Sequence, residues 1–291
     1  MRQGNPPQES PRKPATSAGG RRLPRHLAWL VDTGQRLKTA DAKIVPVLEF
    51  RHQKDDKVLS EWARHFRNQY CLDYEIDTLK KGTGCSHAEY LNAIKFPDVS
   101  DKPGPSIRSG DFGEILVADY LQYLLDYWVP RTRYCNKAVR NESTKGSDII
   151  GFKILNAGQE SPKDTLAVYE AKASLAGKTS DNRLQEAVED SAKDVTRKAE
   201  SLNAIKQRLL DKNLTGLSSR VERFQNHEDH PYREVSGAVA LFSTECYTQK
   251  HATETDASKH PNRDNLVLIV VHGPDMMNLV NELYRRAADE A

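Results

Sequence analysis

The chain has 291 residues, 29% of them charged, with a formal net charge of +2. A mean hydropathy of −0.71 predicts a soluble protein, and the length gives ample material for a core. The longest unbroken apolar run, residues 266–271, is far short of the roughly 18 residues that a membrane span requires.

Cys71, Cys85, Cys135 and Cys246 form no C-x-x-C pair, so neither a zinc cage nor a disulfide framework is expected. A polar N-terminus predicts no secretory signal, and a reducing cytoplasm is the expected compartment. Residues 1–25 carry six basic side chains and one acid, a net +5, which leaves −3 for residues 26–291. This stretch, rich in Pro, Ser, Gly and Arg, cannot bury enough apolar surface to order itself and reads as a flexible basic tail. Any DNA affinity of the near-neutral remainder must come from a local basic strip.

Residues 26–105 read as a small α/β unit that could bind a partner. A strand is expected at residues 43–50. A helix follows whose Val58, Leu59, Trp62, Ala63, Phe66 and Tyr70 recur at helical spacing, and a short helical stretch spans residues 86–96. Gly82-Thr83-Gly84-Cys85 lacks the lysine and hydroxyl of a phosphate-cradling loop and reads as a turn. Residues 101–109, with Pro103, Gly104 and Pro105, read as a linker.

The second unit, residues 106–291, opens with a helix. Asp111 and Glu114 have the spacing of a capping box, and Val117, Tyr120, Leu121, Leu124, Leu125 and Trp128 form its apolar stripe. Strands are expected at residues 129–138, 147–155 and 165–173. A long amphipathic helix over 181–212 carries Leu184, Val188, Ser191, Val195, Leu202, Ile205 and Leu209 on one side. Residues 234–244 and 265–272 read as strands buried on both faces, and residues 275–288 as a closing helix.

Charges interrupt two of these strands. With period-two alternation Asp148 shares a face with Ile150, Phe152 and Ile154, while Glu170 and Lys172 share one with Leu166 and Val168. Glu114 lies on the apolar stripe of its helix and points toward the core side of the first turn. Hard carboxylate oxygens suit Mg2+, with Mn2+ as a substitute, and such an ion activates water and neutralises charge on a phosphoryl group. Asp148 and Glu170 are the expected principal ligands. Lys172 is placed to orient or deprotonate the attacking water and to stabilise the transition state. Glu114 could bind a second metal or anchor the first through water, and Gln185 on the following helix could support the site or touch a phosphate.

Each residue has a plainer role to weigh. Glu114 could simply complete a cap with Asp111, Glu170 and Lys172 could be an exposed ion pair, and Asp148 could be a turn residue after Gly146 and Ser147. Arg131, Arg133, Lys137 and Arg140 could contact phosphates along the strand before Asp148 or form a solvated strand edge. His227 and His230 read as parts of a polar loop.

The order helix, three strands, helix, strand, with acids on the first helix and on the second and third strands, resembles the PD-(D/E)xK, or restriction-endonuclease-like, nuclease superfamily. The resemblance runs through Glu114, Asp148 and the Glu170-Ala171-Lys172 triplet, with Ser147 where the namesake motif has proline. More narrowly, Gly110-Asp111-Phe112-Gly113-Glu114, Lys145-Gly146-Ser147-Asp148 and Tyr169-Glu170-Ala171-Lys172 resemble the HamA family, the nuclease component of the Hachiman bacterial anti-phage system.

That resemblance implies an α/β fold: a restriction-endonuclease-like core with a mixed central sheet flanked by helices, preceded by the small N-terminal unit. It implies the Ala171 carbonyl as a further metal ligand. It also implies a cytoplasmic DNA endonuclease of little sequence preference, restrained by a superfamily 2 helicase partner, HamB. The chain's lack of a G-x-x-x-x-G-K-[ST] loop agrees, because any ATP-driven step must then belong to another protein. Two further readings are a catalytically silent nucleic-acid-binding or regulatory subunit, and a restriction or repair endonuclease acting alone.

Overall fold

The computed structural model describes residues 22–156, 158–177 and 181–291. The basic tail, apart from residues 22–25, therefore lies outside the described residues. In chain order the structure runs β1 (Leu30–Lys38), β2 (Ile44–Phe50), α1 (Asp56–Tyr70), α2 (Ile76–Lys80), α3 (His87–Tyr90) and α4 (Gly104–Asp119). Then come β3 (Ile149–Lys153), β4 (Thr165–Ser174), α5 (Arg183–Asp211), α6 (Thr215–Glu222), β5 (Arg233–Ser243), α7 (Gln249–Glu254), β6 (Leu266–Gly273) and α8 (Met276–Asp289).

Among the described residues the strands form one six-stranded sheet in the order β1-β2-β6-β5-β4-β3. The centre is parallel, from β2 through β6 and β5 to β4, and an antiparallel strand closes each edge. The fold is thus mixed α/β with helices on both faces. β1 and β2, expected in a unit of their own, extend this same sheet through the β2–β6 pairing, and the sheet crosses the boundary read at residue 105. β1 has no counterpart among the expected strands. Its exposed, Gly34-containing sequence carries little alternation, and its pairing is interrupted between Asp32 and Arg36.

Period-two alternation sorts the strand side chains between two cores. On one face Tyr169, Ala171, Val239, Leu241, Ile269 and Val271 pack with Trp62, Phe66, Phe112, Leu116, Leu283 and Tyr284 from α1, α4 and α8. On the other face Ala238, Ala240, Phe242 and Leu268 meet Leu184 and Val188 of α5. Further along that face, Ile150, Phe152, Leu166 and Val168 meet Leu202, Ile205 and Leu209. The charges of interest sit on this second face, as their alternation predicts. α5 begins on a side-chain cap, the Asn182 oxygen accepting from the Gln185 amide, and runs 29 residues across the sheet.

Two expected elements take other forms. α4 starts at Gly104, inside the segment read as a linker, with Pro105 in its first turn. Asp111 is therefore mid-helix and forms no capping box with Glu114. It accepts instead from the Tyr70 hydroxyl at 2.7 Å and from Lys137 Nζ at 2.7 Å. A single π turn over Tyr120–Leu124 ends the helix before Trp128. Residues 129–138 are not a strand. Trp128 makes one bridge to Phe152, Pro130 offers no amide donor, and a 3-10 turn forms at Tyr134–Asn136. Inward-facing acids set the path of this segment, because Arg131, Arg133 and Lys137 each turn toward a buried carboxylate.

Candidate metal centre

The antiparallel register of β3 and β4 pairs Ile149 with Tyr169, so Asp148, just ahead of β3, comes opposite Glu170. Gly146 makes the turn into this position. Its φ of +94° belongs to a region that side-chain-bearing residues avoid, and an added Cβ would lie 3.0 Å from Ser201 Oγ. Ser147 then ties the turn to α5. Its amide donates to Ser201 Oγ at 3.0 Å and its hydroxyl to Asp194 Oδ1 at 3.1 Å. Proline at this position would lack the amide hydrogen.

Glu114 arrives from α4, which approaches the sheet closely because Gly113 faces it. A Cβ there would meet Leu241 Cδ1 at 3.3 Å and Ala173 Cβ at 3.5 Å. Glu114, Arg133, Asp148, Glu170 and Lys172 line one cleft of about 570 Å3, together with Asp190 of α5. Lys145 and Arg197, both exposed, also line it.

The carboxylates are crowded. Asp148 Oδ1 accepts from Arg133 Nη2 at 2.8 Å and Oδ2 from the Ala171 amide at 3.3 Å. Asp148 and Glu170 face each other across the β3–β4 ladder, so the charge of one acts on the other. Burial, followed by the charge of Glu170, pushes the Asp148 carboxyl well above its usual range. Burial also raises Glu170 against the pull of Lys172.

Glu114 Oε2 accepts from the Tyr134 hydroxyl at 2.5 Å and lies 2.9 Å from Arg133 Nε, off line for a good hydrogen bond. Burial, opposed by Arg133 and reinforced by Asp148 and Asp111, pushes its pKa up to about 8. Asp194 is a further buried acid, raised by burial, and its Oδ2 has no partner. Lys172 Nζ lies 2.7 Å from Glu170 Oε1 and 2.6 Å from Asp190 Oδ2. Burial disfavours its charge, but the two carboxylates hold the ammonium above its ordinary range.

These observations bear on a metal directly. Acids outnumber cations in a confined space, and Asp148 and Glu170 face each other within it. A hard divalent cation accepts such oxygens and relieves the repulsion, so Asp148 and Glu170 fit one. Among the described residues no three His, Cys, Asp or Glu side chains converge as a ready metal cage. Glu114 faces Arg133 and Tyr134 instead.

Of the other sequence candidates, Arg133 joins this convergence and the rest are placed apart from it. Gln185 does not line the cleft. Its side chain accepts from the Asp256 amide at 2.8 Å and donates to Glu189 Oε1 at 3.0 Å. Arg131, Arg133, Lys137 and Arg140 form no phosphate-facing strip along a strand. Each is committed to an acid of the chain: Asp119, Glu114 with Asp148, Asp111, and the partly exposed Asp98 respectively. His227 binds the Tyr232 carbonyl and His230 binds Glu160, both in a surface loop.

Asp190 and Asp194 were missed from the sequence, and one signal was present. Asp194 follows Ser191 by three on the buried face of α5, where Val195 was read instead, and Val195 is only half-buried. No helix among the described residues is long and apolar enough to cross a membrane. Comparison with curated proteins and with solved structures gives no match. A family model for HamA matches residues 25–287, from the first turn before β1 into the last helix, and with the site's Glu114, Asp148 and Glu170-Ala171-Lys172 inside that span the chain belongs to the HamA family.

Proposed function

We propose that this chain is a Mg2+-dependent DNA endonuclease with little sequence specificity, with Mn2+ able to substitute. Membership of HamA implies a component of the Hachiman anti-phage defence system. On the proposed reading it is the cytoplasmic effector of that system, restrained by a superfamily 2 helicase of the HamB type. The convergence of Asp148, Glu170 and Lys172 in one cleft carries the reading, because a phosphodiester needs charge neutralisation and a positioned water.

Asp148 and Glu170 would hold the divalent ion, which supplies Lewis acidity and neutralises charge at the phosphoryl group. Lys172 remains an ammonium between Glu170 and Asp190, so it donates rather than accepts. It orients the attacking water and stabilises the growing negative charge. Asp190 positions Lys172 from α5. Arg133 fixes the Asp148 carboxylate through Oδ1. Lys145 and Arg197, exposed on the cleft wall, suit contacts to flanking phosphates.

Purified protein freed of any partner should degrade plasmid DNA with Mg2+ or Mn2+ and not with EDTA. Glu170→Ala or Lys172→Ala should abolish cutting with folding intact, and retained cutting by either variant would refute the assignment. A silent, DNA-binding subunit gains support from one feature: Arg133 and Lys172 already contact all three acids. That reading predicts DNA binding unchanged by both substitutions and no response to metal.

A further inference from the structure

Arg133 is the most fully engaged side chain at the cleft. Its guanidinium spans Glu114 and Asp148, with Nε at 2.9 Å from the first and Nη2 at 2.8 Å from the second. Nη2 also donates to the Thr144 carbonyl at 2.9 Å and Nη1 to the Ser147 carbonyl at 2.7 Å. The side chain is 14% exposed. A guanidinium is planar and permanently charged, and here its fork joins the acid of α4, the acid before β3 and the turn between them.

The arrangement bears on how many ions the site can take. Two-metal sites hold their ions about 3.5–4 Å apart, and each ion needs carboxylate oxygens of its own. Asp190 is already bound by Lys172 and Lys193, so a second ion on the Oδ1 side of Asp148 would recruit Glu114. Glu114 and the Oδ1 side of Asp148 instead face a cation that is covalently part of the chain, and Glu114 also takes the Tyr134 hydroxyl. Among the described residues no triad of potential ligands converges.

Resting on the metal-dependent reading above, we infer that Arg133 is a built-in counter-cation that stands where a second ion would bind and limits the centre to a single divalent ion held by Asp148 and Glu170. Arg133 is a positioning residue acting through Asp148, and Glu114 acts through Arg133 rather than as a ligand.

Equilibrium titration of the full chain with Mn2+, without DNA, followed by the electron paramagnetic resonance of the free ion, reads the stoichiometry directly. The wild type should bind one Mn2+. Glu114→Gln should still bind one, with affinity within about 10–100-fold of wild type, the scale of effects transmitted through a ligand's supporting groups. Asp148→Asn should lose the ion, and Arg133→Gln should bind two.

Two ions on the wild type, loss of the ion in Glu114→Gln, or a folded Arg133→Gln that still binds one overturns the inference. If circular dichroism shows Arg133→Gln to be unfolded, the wild-type and Glu114→Gln stoichiometries decide the matter. A wild type that binds no Mn2+ removes the metal-dependent function itself, an outcome distinct from one that reassigns Arg133 alone.

Discussion

Glu114 and Asp119 stand on the same helix, the first mostly and the second fully buried, and their acidities move in opposite directions. Burial favours the neutral form of each. At Asp119 the attraction of His65 and Arg131, with hydrogen bonds from His26 and His65, overcomes burial and holds the carboxyl well below its usual range. The partners are close: His26 Nε2 at 3.1 Å, His65 Nε2 at 2.9 Å and Arg131 Nη2 at 2.7 Å.

At Glu114 one guanidinium is shared with Asp148, other acids add their charge, and the pKa stands at about 8. The Asp119 cluster is therefore closed, with more donors than it has oxygens to satisfy. The cleft cluster is open to a cation. A buried acid with its own counter-charges is structural, and a crowd of acids sharing too few cations is the better candidate for chemistry.

The largest expected effect tests the open cluster. Glu170→Ala should lower plasmid cleavage by at least about 10²–10³-fold, the scale of removing one transition-state-stabilising group. Thermal unfolding in EDTA should still be cooperative in the same variant, because Lys172 keeps Asp190 as a partner and the repulsion on Asp148 is relieved. Cleavage near wild-type level would place the chemistry elsewhere.

Asp119→Ala addresses the closed cluster. It leaves Arg131 without its buried acid and should cost about 3–5 kcal/mol in denaturant unfolding, as broken buried ion pairs do. A cost near zero would show that the cluster is not structural.

The two clusters also separate by pH. Glutamate ordinarily titrates at 4.5 and Glu114 at about 8 in the fold, so the fold favours its protonated form. Its contribution to stability is complete below 4.5 and is lost as pH rises through 8. The urea midpoint of metal-free protein should therefore be higher at pH 6 than at about pH 8.5. The difference should be on the order of 2 kcal/mol from this group, and Glu114→Gln should reduce the slope, with the raised Asp148 and Glu170 carboxyls keeping the rest. An unchanged pH slope in that variant would mean Glu114 is not the titrating group. The smallest effect belongs to Gln185→Ala, outside the cleft, which should keep cleavage within about twofold of wild type, as surface substitutions do. A larger loss would return Gln185 to the site.

Much of the fold is legible in local pattern. The alternation in β4 separates Leu166 and Val168 from Ala167 and Tyr169, and these enter different cores as read. The apolar repeat of α5 gives its length and its buried side. Where the reading fails, a distant partner has overridden a local motif. Asp111 has the spacing of a cap, yet Tyr70 and Lys137 claim it within a helix that begins earlier. Residues 129–138 look extended, yet Asp119, Glu114 and Asp148 draw their basic side chains inward.

The sequence by itself determined the alternation that turns Asp148, Glu170 and Lys172 to one side of the sheet, because side-chain direction follows from backbone geometry over a few residues. Only the tertiary structure decided that Asp148 meets Glu170 across a β-ladder, that Asp190 holds Lys172, and that Arg133 stands between Glu114 and Asp148. Such pairings depend on which charges a folded chain brings within a few ångströms, and burial makes those few contacts far stronger than any charge pattern along the chain can express.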